Sequence, residues 1–328
     1  TTCSETMYFA LGPVLTAAKH ASFLSPAFTA TFTDAGRQGA RVTRITLAVW
    51  DNAALTGTPV FTKDYTVDIS AFPATTAILQ AYGVGASQTY YARVEARNDL
   101  GHDNLSTVIP FTTPAAGDNV WANTSSDVES AASYVYTWGK PDASKILYFE
   151  TPAVVSPVIA SDTAMPTLSF GIQAGRVDTI AGGFNAYGYA FSGSGKITLS
   201  DESPIRQTSY GTNLVSNPIL FNRSNNQNVK LNPTGGELVF AGPLSTPAGG
   251  EVVLISQSYG NLRFRGDTQG MRIKQMTLGE SAYNYIENPN ALTNAMKIYF
   301  ELGWGARRKL QNNTGSPLVF ATTTLSIT

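Results

Sequence analysis

The side chains in this sequence best suited to chemistry lie in its C-terminal half. They are the carboxylates Asp201, Glu202, Glu237, Glu251, Asp267 and Glu280, with Arg206, Arg263 and Arg265 among them. Cleaving a polysaccharide takes a paired acid and base flanking one glycosidic bond, and the two carboxyl groups must differ in protonation. Glu237 and Glu251 each follow a Gly-Gly pair, which predicts that they sit near each other on one flank. The competing reading is a solvated outer face that keeps neighbouring molecules apart. The pattern favours that second reading, so no catalytic residue is assigned.

Other chemistries find less support. The chain has two histidines, His20 and His102, far apart and in polar surroundings, which gives no nucleophile–base arrangement. A zinc site needs three or four His or Cys ligands, and only three such residues exist, the third being Cys3. A single cysteine permits no internal disulfide, and Cys3 is expected to be an inert thiol. No Asp-x-Asp-x-Asp loop marks a calcium site, and no cofactor is expected. The aromatic stretches Phe184–Phe191 and Ala282–Asn288 are of the kind that stack on sugar rings, although coil-edge packing is the plainer reading. Asn104, Asn123, Asn222 and Asn312 open Asn-x-Ser/Thr triplets and mark surface loops. Arg265-Gly266-Asp267 has an integrin-type order, but three residues recur by chance and Gly266 already has a turn role.

The elements that position these residues repeat. Gly235–Leu244 reads GGELVFAGPL: two glycines, an alternating apolar segment, then Gly-Pro. Alternation at period two between Gly/Pro punctuation is a short β-strand. The pattern recurs at Lys196–Asp201, Gly249–Ser256, Gly260–Gly266, Met276–Glu280, Lys297–Gly303 and Ser316–Phe320. Segment centres at Thr198, Leu220, Val239 and Arg263 are 22, 19 and 24 residues apart; those at Thr277, Tyr299 and Val319 are 22 and 20 apart. One strand about every twenty residues predicts the stacked coils of a β-solenoid. The alternative is a second β-sandwich or jelly roll. In a solenoid Leu199, Leu238, Phe240, Phe264, Leu278, Phe300 and Phe320 are expected in buried lengthwise rows.

Composition narrows the setting. The 328 residues are long enough for two cored domains. Only 14% are charged and the net charge is −1, which argues against a nucleic-acid partner. No apolar run is long enough to span a membrane. Polar positions are mostly Thr, Ser, Asn and Gly, a balance that suits exposed β-structure outside a cell. The chain starts at Thr1 without Met, which reads as a processed, exported product.

Residues 26–114 carry about seven short alternating strands and predict an immunoglobulin-like sandwich. Tyr90-x-Ala92-x-Val94-x-Ala96-x-Asn98-x-x-Gly101, closed by Phe111-Thr112-Thr113-Pro114, resembles the end of a fibronectin type III domain. Phe32 stands where that family has tryptophan, and Val84 and Ala86 replace its leucine and proline. The resemblance implies a fold but no ligand. Residues 115–145 are polar, contain Trp121 and Trp138, and read as a linker leading into the solenoid of 146–328. From residue 118 onward, with Met165–Gly171 and Phe191–Ser200, the chain resembles autotransporter-associated β-strand repeat proteins. That resemblance implies a bacterial secreted or surface protein with a solenoid passenger region. Tyr283–Asn290 and Arg307-Arg308-Lys309 depart from its pattern.

The ends suggest assembly. Residues 1–25 are read as a separate segment in which Met7, Tyr8, Phe9 and Leu11 form a spare apolar strand. Ser316–Thr328 is uncharged and β-prone, with Leu318, Phe320, Leu325 and Ile327 alternating. A spare strand and a bare edge predict strand addition between copies, a heterologous contact that propagates as a filament. The expectation is an extracellular structural protein, a self-assembling filament or an adhesive surface-layer component, without catalysis. The alternative is a carbohydrate-binding or carbohydrate-cleaving surface protein. Expected partners are further copies of the chain and surface glycans.

Overall fold

The computed structural model describes residues 11–20, 23–171, 186–233, 235–256, 260–279, 283–300, 309–320 and 324–327. The protein is all-β and divides into two units, Thr1–Ala116 and Gly117–Thr328.

The first unit is a pair of antiparallel sheets. Ala27–Asp34 pairs with Val14–Lys19 on one side and with Ala74–Thr75 and Leu79–Gln80 on the other. The second sheet sets Val42–Trp50 between Phe61–Ile69 and Thr89–Asn98, and the latter also pairs with Asp103–Leu105 and Ile109–Thr112. Period-two alternation sends Phe28, Ala30 and Phe32 inward from one sheet, and Ile45, Leu47, Val49, Tyr90, Ala92, Val94 and Ala96 from the other. Phe111 joins them, meeting the Phe28 ring edge-on at 5.5 Å and stacking on Tyr90 at 5.7 Å. Val14–Lys19 lies inside the segment expected to stand apart as 1–25. Its backbone hydrogen bonds make it a strand of this sandwich.

The second unit is a β-solenoid of about seven turns. All the strand pairs in its three sheets are parallel, which excludes the sandwich alternative. The first face has nine strands, from Asn119–Val120 to Thr324–Ile327; the second has six, from Ala190–Phe191 to Lys309–Asn312; the third has four, from Thr163–Met165 to Leu244–Ser245. In the central coils the chain visits first, second and third face in turn. On the second face Leu214 faces Val239, which faces Arg263, which faces Tyr285, which faces Gln311. One coil there takes twenty-two to twenty-six residues and carries up to three short strands. The predicted spacing was therefore a mixture of faces. Leu220 registers with Ser245 on the third face, not with Val239, and Tyr299 registers with Ser326, not with Val319. Val319 is 81% exposed.

The predicted rows form with that change of register. On the first face Leu147, Leu168, Ile205, Leu231, Ser256, Leu278, Phe300 and Ile327 follow one another in a single ladder. On the second face Val215, Phe240, Phe264 and Ile286 do the same, with Phe240 and Phe264 stacked at 5.5 Å. Leu199, Leu238, Phe240, Phe264 and Leu278 are buried, while Phe300 and Phe320 are half-buried against the same core. At the other end residues 119–136 form a lid. Val135 donates its N–H to Val120, Ala122 donates to Ser133, and Trp121 bridges Tyr134. Trp121 and Tyr134, both part of the lid, are buried. From Gly117 on, the stretch expected to be linker and solenoid entry belongs to the second unit, and Ser133 and Val135 bond the backbone of Ala122 and Val120 on the side of the first strand away from Leu147–Phe149.

One row carries a flaw. Leu238, Leu262, Asn284 and Leu310 follow one another on the second face. Asn284 is fully buried, and neither its Oδ1 nor its Nδ2 has a hydrogen-bond partner. A buried, unmatched amide costs about 1–3 kcal/mol. Asn284→Leu should therefore raise unfolding stability by about that amount in a denaturant titration. A loss of stability would show that the amide has a use which the row does not explain.

Candidate functional site

A dense cluster of charge lies on the outer side of the second face. Leu238 and Phe240 turn inward, so Glu237 turns out; by the same alternation Arg263 and Tyr285 turn out from the next two coils. The Arg263 guanidinium lies between Glu237 and Glu287 and donates to both. It rests on the Tyr285 ring at 4.5 Å, and Lys309 Nζ approaches the same ring at 5.4 Å. Arg265 Nε donates to the other oxygen of Glu287 at 2.6 Å. The four charges form one chain, Glu237–Arg263–Glu287–Arg265, across three coils.

The electrostatics of this cluster oppose acid catalysis. Burial pushes the Glu287 carboxyl up, but hydrogen bonds from Arg265 and Arg263 outweigh it and hold the group below its ordinary value. The hydrogen bonds to Glu237 and Glu287 raise the Arg263 guanidinium further. Glu237 and Glu287 each give an oxygen to the same Arg263, so the cluster is a chain of ion pairs and not a free acid facing a free base.

The other predicted residues are dispersed. Glu251 lies on the first face and binds Arg272 at 2.9 Å, so it is not beside Glu237. The matching Gly-Gly pairs open strands of different faces, which is why the sequence suggested proximity. Asp201 binds Arg206 at 2.8 Å and Glu202 binds Lys230 at 2.6 Å. Asp267 accepts the Gln269 N–H at 2.6 Å and closes a turn, while Arg265 is held by Glu287. The Arg-Gly-Asp order is thereby absorbed into coil structure. Glu280 lies outside the described residues, as do Cys3, Met7, Tyr8 and Phe9. Leu11 is exposed, and its carbonyl accepts from Asn98 Nδ2 at 3.1 Å within the sandwich. Leu318 packs on the solenoid core beside Phe320. Leu325 and Ile327 belong to the strand Thr324–Ile327, which pairs with Lys297–Phe300.

His20 Nε2 lies 3.3 Å from the Thr29 hydroxyl and His102 sits in a turn anchored on Asn98, so they form no site together. Among the described residues no three His, Cys, Asp or Glu side chains converge where a metal ion would sit. No described helix is long and apolar enough to cross a membrane. Sequence reasoning missed Glu287. Its role was hidden because a Tyr-x-Tyr-Ile-Glu stretch looked like a departure from the repeat rather than a continuation of it.

These pairings define the class: an all-β protein with an N-terminal pair of sandwich sheets and a parallel β-solenoid. No protein family matches the chain, and no curated protein does. Among solved structures the chain is similar to pectate lyase PelI from Erwinia chrysanthemi in complex with tetragalacturonic acid. The identity is 10%, the coverage is 96% of this chain and 100% of that one, and the TM-score is 0.20. A likeness that slight carries no argument, and the fold assignment rests on the strand pairing.

The cluster makes an acid-sensitive staple. Glu287 is ionised more readily in the folded than in the unfolded chain, so its stabilisation is complete above its ordinary value of 4.5 and is lost as pH falls through the lowered one. Glu287→Gln should cost about 1.5–3 kcal/mol at pH 7 and flatten the fall in stability as pH drops below 4.5. Urea titrations of both proteins across that range check this, and parallel curves would remove the staple.

Proposed function

We propose that the protein is an extracellular structural component of a bacterial surface, a non-catalytic scaffold able to join further copies of itself. The observation that carries this reading is the use of its carboxylates. Asp162 binds Lys196, Glu202 binds Lys230, Glu251 binds Arg272, and Glu237 and Glu287 share Arg263, each pair joining adjacent coils. Charge in the solenoid is spent on holding coil to coil. The low charge and the Thr/Ser/Asn-rich surface support a place outside the cell.

The fibronectin-like reading of the first unit gains support from Tyr90. Its Oη accepts the Gly85 N–H at 2.9 Å and donates to Gln88 at 2.6 Å, a tyrosine tying the strand start to the segment before it. The reading of the second unit as an autotransporter-type repeat gains support from its coils of Gly-bounded strands.

Assembly is read as strand addition, with Thr324–Ile327, paired with Lys297–Phe300 among the described residues, as the acceptor strand. An unpaired strand edge is a template for another chain. The donor in this scheme is the apolar segment Met7–Leu11 of a second copy. Full-length protein should form particles far larger than a monomer in light scattering and electron microscopy, and deletion of residues 1–12 should shrink them. A full-length protein that stays a monodisperse monomer at high concentration ends the filament reading. Cleavage of a polysaccharide that is lost in Glu237→Gln or Glu251→Gln would instead establish the enzymatic alternative.

A further inference from the structure

Two tyrosines stand out at the corner where the first face turns into the second. Tyr187 is 40% exposed and Tyr210 is 64% exposed, although most other aromatic rings of the solenoid are buried. They belong to successive coils, because Ala190 registers with Leu214 and Leu214 with Val239. Each lies on a glycine of the following coil. A side chain added at Gly211 would meet Tyr187 Cβ at 2.1 Å and Cγ at 2.4 Å; one added at Gly235 would meet Tyr210 Cδ1 at 3.0 Å and Cε1 at 3.2 Å. The glycines let the tyrosine side chains lie against the backbone and leave their rings open to solvent.

The surroundings restrict what such rings would bind. Residues 186–189, 208–213, 235 and 236 contain no charged side chain. Glu237, next to Gly236, is held by Arg263. Neither phenol hydroxyl has a hydrogen-bond partner among the described residues, and Thr212 is exposed beside them. Val154, 83% exposed, lies on the preceding coil, where the Ala153 N–H donates to the Tyr187 carbonyl at 2.9 Å. Among the described residues the result is an uncharged strip, apolar at its centre and edged by hydroxyls, rising by ~4.8 Å per coil. A pyranose has the matching chemistry: an apolar C–H face for the rings and hydroxyls for the rim. Its length is comparable to one coil.

We propose that Tyr187 and Tyr210 form a binding strip for an uncharged polysaccharide, with consecutive sugar rings laid on consecutive coils. Tyrosine suits this task because its ring is apolar while its hydroxyl remains a donor and acceptor. Among the described residues the strip carries no cation, which sets this ligand apart from an acidic glycan. The proposal depends on the surface-scaffold reading for its setting, but not for its test.

The test uses the full chain in affinity gels and titration calorimetry with soluble xylan, mannan and hydroxyethylcellulose, and with polygalacturonate as the acidic control. The expected result is retention by at least one neutral polymer and not by the acidic one. Tyr210→Ala should weaken that binding about ten-fold, the effect of truncating one aromatic anchor, and Tyr210→Phe should keep most of it. The Tyr187→Ala/Tyr210→Ala double variant should abolish binding with an unchanged circular dichroism spectrum and melting temperature, since both side chains are largely outside the core. Absence of binding to every neutral polymer overturns the proposal. So does undiminished binding by the double variant, or preferred binding of polygalacturonate. A double variant whose only change is a smaller particle would make the strip a contact between copies, which also overturns it. Particle size and glycan retention are read separately, so a monomer that binds xylan would end the filament reading and leave this one standing.

Discussion

Everything in the solenoid depends on the parallel ladder between one coil and the next. Strands ~4.8 Å apart leave each inward side chain resting on its counterpart above and below. Like residues then pack directly on like, as Phe240 does on Phe264, and a row tolerates only what its two neighbours can cover. The same closeness governs the corners. An added side chain at Gly242 would strike the Asn217 carbonyl oxygen at 2.2 Å, and one at Gly266 would strike the Gly242 carbonyl oxygen at 1.8 Å. These glycines are required by the approach of one backbone to another.

Polar groups follow the same geometry. Asn217 is fully buried at a corner, and its Nδ2 donates to the carbonyls of Ser192, Gly193 and Gly195 at 3.0–3.2 Å. There the amide substitutes for main-chain donors that the turning coil cannot supply. Asn213 is likewise bonded to Ala186, Gln207 and the Tyr189 N–H. Asn284, in the row of Asn213 with Leu262 and Leu310 as its register mates, has no such partner among the described residues, so the amide nitrogen is bonded at two positions and unmatched at a third.

The charged residues are few, and register decides their partners. Between adjacent coils a carboxylate finds a cation one step away, often diagonally, as Arg263 reaches Glu237 from two residues beyond its register mate Asn261. Beside these pairs the second unit also exposes aromatic and hydroxyl groups, among them Tyr187, Tyr210 and Thr212.

The sequence by itself determined the period-two strands, the glycine corners and the recurrence of short strands that stack as a solenoid. These are local properties: alternation and turn chemistry act within ten residues, and they were legible at Gly235–Leu244 and again at Thr89–Asn98. Only the tertiary structure decided which repeats share a face. The chain advances by a variable number of residues per coil, so Leu220 and Val239 look like successive copies while occupying different sheets. The same uncertainty put Glu237 beside Glu251, left Glu287 unseen and gave Val14–Lys19 to a free segment. Pairing across twenty or more residues is set by which rows can bury one another, a property of all the coils together.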